Sequence, residues 1–131
     1  MSQEINFQYA FAVQNPSAPT TGQTPFKDSD SNQLRLDQST AGGAEDTITI
    51  PTTAGGTVVS FGNVSSYGWL ILKNLDQTNF ATYGPTSGGA MVAMGKIKAN
   101  EVQILRLKPG IVFRMLADTA SVRINWRMYE D

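Results

Sequence analysis

Four stretches of the chain carry side chains capable of chemistry. KNLDQTNF, residues 73–80, places two asparagines, an aspartate and a threonine directly behind an apolar run. DSDSN, residues 28–32, has oxygen ligands at its first, third and fifth places, as a calcium loop does. Glu45 with Asp46 and Glu130 with Asp131 form two acid pairs. Trp69, Tyr83, Trp126 and Tyr129 offer rings able to stack on sugars or bases. What these groups lack is partners, because the chain contains neither histidine nor cysteine. That removes the commonest general base, the usual transition-metal ligand, thiolate zinc sites, disulfides and the Ser-His and Cys-His pairs of most nucleophilic hydrolases.

Each stretch then reads more simply as structure. Behind DSDSN, Gln33 stands where the sharp-turn glycine of a calcium loop belongs, and Ser39 where a bidentate glutamate would close the shell. The acid pairs are adjacent in sequence at strand ends, whereas glycoside hydrolysis needs two acids held across a cleft. No glycine pair is followed by the lysine and hydroxyl that open a phosphate-cradling helix. Trp69 and Trp126 are embedded in apolar strand pattern and are expected in the core. In KNLDQTNF, the residues Asn74, Asp76, Thr78 and Asn79 are types that bond to nearby backbone and tolerate left-handed conformations, so a turn is expected there. No catalytic residue, metal site or cofactor is expected, and the chain reads as a non-enzyme.

The elements that position these groups are extended. Residues 5–13 alternate, with Ile5, Phe7, Tyr9, Phe11 and Val13 on one face, which is the period of a strand with one buried side. Residues 14–33 are polar and interrupted by Pro16, Pro19 and Pro25, with Phe26 the one large apolar residue; this predicts a long loop or arm. From residue 34 onward, short apolar segments recur about every ten residues between turn signals, the pattern of an antiparallel sandwich or barrel of about nine strands. The turn signals are Gly42-Gly43, Gly55-Gly56, Gly88-Gly89 and Pro109-Gly110. In the last segment Val122, Ile124, Trp126 and Met128 share a face. A chain of 131 residues holds one such domain, here read as an N-terminal strand (1–13), an arm (14–33) and a β-sandwich core (34–131).

Charge argues against a general nucleic-acid binder, since the formal net value is −1. Its distribution is uneven: residues 1–68 carry two basic and six acidic residues, residues 69–131 eight basic and five acidic. A dipolar chain of this kind favours head-to-tail contacts with its own copies. No apolar run approaches the length that crosses a bilayer, and MSQEINF lacks the basic start and apolar middle of a secretory signal, so a soluble product made in the cytoplasm is expected.

Three segments together resemble a known group. DQST (37–40), GNVSSYGWLILKNLDQTNFATYGP (62–85) and GAMVAMGKIKANEVQILRLKPGIVFRMLADTASVRINWRMYED (89–131) follow the pattern of small structural proteins encoded among the head and tail genes of tailed bacteriophages. That pattern runs from a Gly-aromatic strand through an Asn-Leu-Asp turn and Thr-Asn-aromatic to a Lys-Leu-like strand. A Gly-Glu-like turn, a Leu-Arg-Leu strand, Pro-Gly and an acidic end complete it. Asn100 departs from it, standing where a glycine usually precedes Glu101. The resemblance covers residues 35–131 and implies a virion component without catalytic activity, synthesised in the host cytoplasm.

Residues and resemblance together predict an all-β fold, an antiparallel β-sandwich of jelly-roll-like topology with an extended N-terminal strand and a polar arm. They predict a capsid decoration or cement protein that bridges neighbouring capsid subunits, its partner the major capsid protein or another virion protein. Homotrimers are expected from the abundance of three-fold positions on a shell, with no nucleic acid and no membrane as partner. The candidate assembly contacts are Phe7, Tyr9, Phe11, Pro16, Pro19, Pro25 and Phe26. The alternatives are a neck, tail or fibre-attachment protein, and a carbohydrate-binding module.

Overall fold

Among the described residues every regular element is a strand: there are eleven, and no helix. The computed structural model describes residues 3–15, 26–38 and 42–131, with side chains at 5–12, 29–33 and 42–131. The strands are β1 (Gln3–Asn15), β2 (Phe26–Gln38), β3 (Gly43–Ile50), β4 (Thr57–Val58), β5 (Tyr67–Asn74) and β6 (Ala81–Ser87). They continue with β7 (Ala90–Met91), β8 (Gly95–Ile97), β9 (Val102–Arg106), β10 (Phe113–Ala117) and β11 (Val122–Glu130). The contacts divide the chain into two compact units, Met1–Gln38 and Ser39–Asp131.

The first unit contains a two-stranded antiparallel ribbon. β1 and β2 pair without a break from Gln3↔Gln38 to Asn15↔Phe26. Part of the predicted arm is therefore strand, since residues 26–33 lie in β2. Leu34 and Leu36, expected in the sandwich, pair with Phe7 and Ile5 in the ribbon. Backbone hydrogen bonds between strands are indifferent to side-chain type, so the regular partner β1 accommodates a polar sequence with no apolar alternation of its own.

The second unit is an antiparallel β-sandwich. One sheet has the order β3-β11-β5-β9; the other has β4-β10-β6-β7, with β8 also pairing β6. The chain crosses between the sheets at almost every connection. Counting the two-residue β7 as part of the β6 edge leaves eight strands, whose sheets read first-eighth-third-sixth and second-seventh-fourth-fifth. Strict alternation places β11: Val122, Ile124, Trp126 and Met128 are all buried, as the sequence predicts, while Arg123 and Arg127 between them are exposed. From the facing sheet come Ala81, Tyr83, Ile97, Phe113, Met115 and Ala117. Phe61 joins the two layers, with its ring edge-on to Trp126 (5.2 Å, 82°) and tilted against Phe113 (5.7 Å, 49°). Full burial of a side chain of this size stabilises by about 1.5–3 kcal/mol, so this cluster carries the unit.

Glycines set two of the corners. Gly88 and Gly89 both have positive φ (59° and 80°) between the paired residues Ser87 and Ala90, the requirement of a two-residue type I′ turn. Gly68 sits where the β5–β11 register shifts between Tyr129 and Glu130, and a side chain there would meet the Tyr129 carbonyl oxygen at 2.8 Å. Gly43, expected in a turn, instead opens β3 opposite Tyr129. Asn100 adopts φ 62° in the turn closed by Glu101 N–H donating to the Lys98 carbonyl oxygen (3.2 Å), a conformation asparagine tolerates in place of glycine.

Candidate functional site

The polar end of KNLDQTNF is a built corner. Asn74, the last residue of β5, is fully buried, at 0% exposure. Its Nδ2 donates to the carbonyl oxygens of Asn79 (3.0 Å) and Ile97 (3.3 Å), and its Oδ1 accepts from the Asp76 N–H (2.9 Å). Asp76 Oδ1 accepts in turn from the N–H groups of Thr78 (2.8 Å) and Asn79 (2.7 Å). These backbone donors hold the Asp76 carboxyl below its ordinary pKa. The Asn74 amide and Asp76 Oδ1 are thus spent on closing the turn.

The other acids are engaged in the same way. Glu45, Asp46 and Glu130 line a groove of about 420 Å³ that also includes Gly62, Asn63, Val64 and Trp126. Glu130 Oε1 accepts from the Ser65 N–H (3.1 Å) and hydroxyl (3.2 Å), and Asp46 Oδ1 accepts from the Thr47 N–H (2.7 Å). Glu45 accepts from Asn125 and pairs with Arg127, which together hold its carboxyl below the usual range. Among the described residues no group of three or more acids could hold a metal ion. The DSDSN segment lies wholly within β2, so its backbone is extended rather than looped as in a calcium loop. Asp30 accepts from the Tyr9 hydroxyl (2.9 Å), and this bond keeps the phenol protonated by raising its pKa.

The aromatic residues divide between core and surface. Trp126 and Tyr83 are core, and burial raises the pKa of the Tyr83 hydroxyl. Trp69 is a correction to the sequence reading: it is half-buried on the outward side of β5, because the inward set is Gly68, Leu70, Leu72 and Asn74. Arg106 lies 5.3 Å over its ring and also pairs with Asp131. Trp69 stands opposite Tyr129 on one side and Arg106 on the other, and Ile71 opposite Arg127 and Ile104. These positions make one outward row after another across β11, β5 and β9. Sequence spacing could not show this face, since its residues meet only through strand order.

Four of the candidate assembly residues, Phe7, Tyr9, Phe11 and Phe26, lie in the ribbon. Phe7, Tyr9 and Phe11 alternate along β1, with the Phe7 and Tyr9 rings stacked (6.1 Å, 27°) and Phe11 48% exposed. Phe26 opens β2 opposite Asn15. Pro16, Pro19 and Pro25 lie outside the described residues. No protein-family model matches the chain, and neither a curated protein nor a solved structure does.

Proposed function

We propose that the chain is a non-enzymatic structural component of a tailed-phage virion, a capsid decoration protein that acts by joining copies and bridging neighbouring capsid subunits. The observation that carries this reading is the ribbon. It holds the aromatic side chains of Phe7, Tyr9 and Phe11 at alternate positions of one strand of a two-stranded sheet, with the Phe11 ring exposed. Apolar residues set in a regular row outside a core mark a contact surface. The strand order of the sandwich supports the jelly-roll-like topology expected from the sequence, since each sheet interleaves early and late strands as two Greek keys do. Among the described residues Asp76 and Asp46 are engaged by backbone N–H groups, Glu130 by Ser65 and Glu45 by Asn125 and Arg127, which favours a scaffold over an enzyme.

The partners in this reading are the major capsid protein and further copies of the chain, in rings of three. The test is sedimentation of the purified chain with expanded phage shells, followed by imaging of the decorated particle. Density for the chain at subunit junctions is expected. Its presence at the tail alone would move it to the neck or tail components.

A further inference from the structure

We propose that the outward face of the β3-β11-β5-β9 sheet receives the ribbon of a second copy of this chain. The idea rests on the reading of the ribbon as an assembly element and names the surface that takes it. Both faces show the same two features with opposite sign. On the sheet, Trp69, Ile71, Ile104, Tyr129 and the 54% exposed Val102 form an apolar centre. Around it stand Lys73, Arg106, Arg123 and Arg127, against the two acids Glu45 and Asp131. Those acids pair with Arg127 and Arg106, so among the described residues Lys73 and Arg123 have no ion-pair partner. The face therefore carries two unbalanced positive charges.

The ribbon presents the complement. Phe7, Tyr9 and Phe11 form its aromatic row, and Asp30 lies opposite Phe11 in the register. Residues 1–38 carry Lys27 and Arg35 against Glu4, Asp28, Asp30 and Asp37, two cations against four carboxylates. Opposite charge of equal size is what steers and fixes the register of an encounter. The spacing agrees as well. Three aromatics at alternate positions of a strand span about 13 Å, as do the three outward rows at Trp69, Ile71 and Lys73, and two sheets pack face to face through such rows. Because the two surfaces differ, the contact is head-to-tail and closes only as a ring, in agreement with the proposed trimer.

The native chain has no cysteine, so an introduced pair reports unambiguously. Full-length Asn32→Cys protein, altered on the aromatic side of β2 opposite Tyr9, is mixed with full-length Ile104→Cys protein under mild oxidation. A Gln33→Cys protein, altered at the next position and so on the other side of the ribbon, serves as control. The mixed disulfide is expected to form about tenfold faster from Asn32→Cys than from Gln33→Cys, because docking raises the local concentration of one thiol at the other. Light scattering is expected to give a mass that is a multiple of 14.2 kDa. Asp30→Lys lowers that mass, and Asp30→Lys combined with Arg123→Glu restores it. Equal rates from both sides of the ribbon, or a single-chain mass at every concentration, overturns the proposal. The decoration role is decided separately: a ring with this linkage that does not sediment with shells removes that role and leaves the contact standing. A single chain that does sediment has the reverse effect.

Discussion

Replacing Asn74 by alanine is the sharpest way to separate a structural corner from a working site. The substitution deletes three hydrogen bonds at once and leaves the Ile97 and Asn79 carbonyl oxygens and the Asp76 N–H to find other partners. Each bond of this kind contributes about 1 kcal/mol net, so the loss is about 3 kcal/mol. In a unit of this size that corresponds to a fall in Tm of roughly 12–24 °C. Urea unfolding followed by tryptophan fluorescence measures it, with Gln77→Ala as control. The Gln77 amide makes one exposed bond to Asn100, and its loss is expected to stay within about 0.5 kcal/mol. Asn74→Asp adds a second signature. It keeps the acceptor for the Asp76 N–H but turns an oxygen toward two carbonyl oxygens, so its carboxyl is driven neutral and its folded pKa raised. A raised folded pKa means stability present at low pH and lost as pH rises through that value, so Asn74→Asp should be least impaired in acid. An alanine variant as stable as the parent would refute the whole account of the corner.

Further expectations can be measured with the same purified protein. Asp76 has a lowered folded pKa, so its contribution exists above the unfolded value and disappears as pH falls through the folded one. Asp76→Asn should therefore flatten the fall in Tm below about pH 5. Gly84→Ala would drive a methyl into the Val92 carbonyl oxygen and should cost at least about 3 kcal/mol in denaturant unfolding. Gly88→Ala meets open space and should cost only the left-handed conformation, about 1–2 kcal/mol. Removing residues 1–38 leaves every core residue from Ile50 to Met128 in place, so residues 39–131 should melt within about 4 °C of the parent, under about 1 kcal/mol. Calorimetry checks this last point.

The strands legible in the sequence were those with a single wet face. β11 alternates without exception, and four of its five inward residues could be named from period alone, Glu130 being the fifth. The Asn-Leu-Asp corner was legible because its residue types favour local backbone bonds. Trp69 was misplaced because Trp-Leu-Ile-Leu is apolar throughout, which hides the period of two; the bulge at Gly68 and the partly apolar outer face explain the run. The first part of β2, residues 26–33, was read as loop for the opposite reason. Residues 27–33 are polar on both faces, and their strand state comes from pairing with β1, a long-range fact with no local signature. The outward row of Tyr129, Trp69 and Arg106 gathers residues up to 60 positions apart, so only strand order reveals it.

The two units place different demands on assembly. The sandwich has its own core, whereas an isolated two-stranded ribbon is at best marginally stable in water. Any surface that covers the aromatic row therefore stabilises the ribbon as well as binding it, and part of the contact energy is consumed in ordering the strands. A single contact of this kind is weak. In the proposed ring each copy would both give a ribbon and receive one, so leaving would cost two contacts, and the proposed attachment at several shell positions would multiply the effect without new chemistry. The proposed role would suit a chain with no imidazole or thiol, because cohesion of such an assembly requires only extended backbone, aromatic faces and opposite charge.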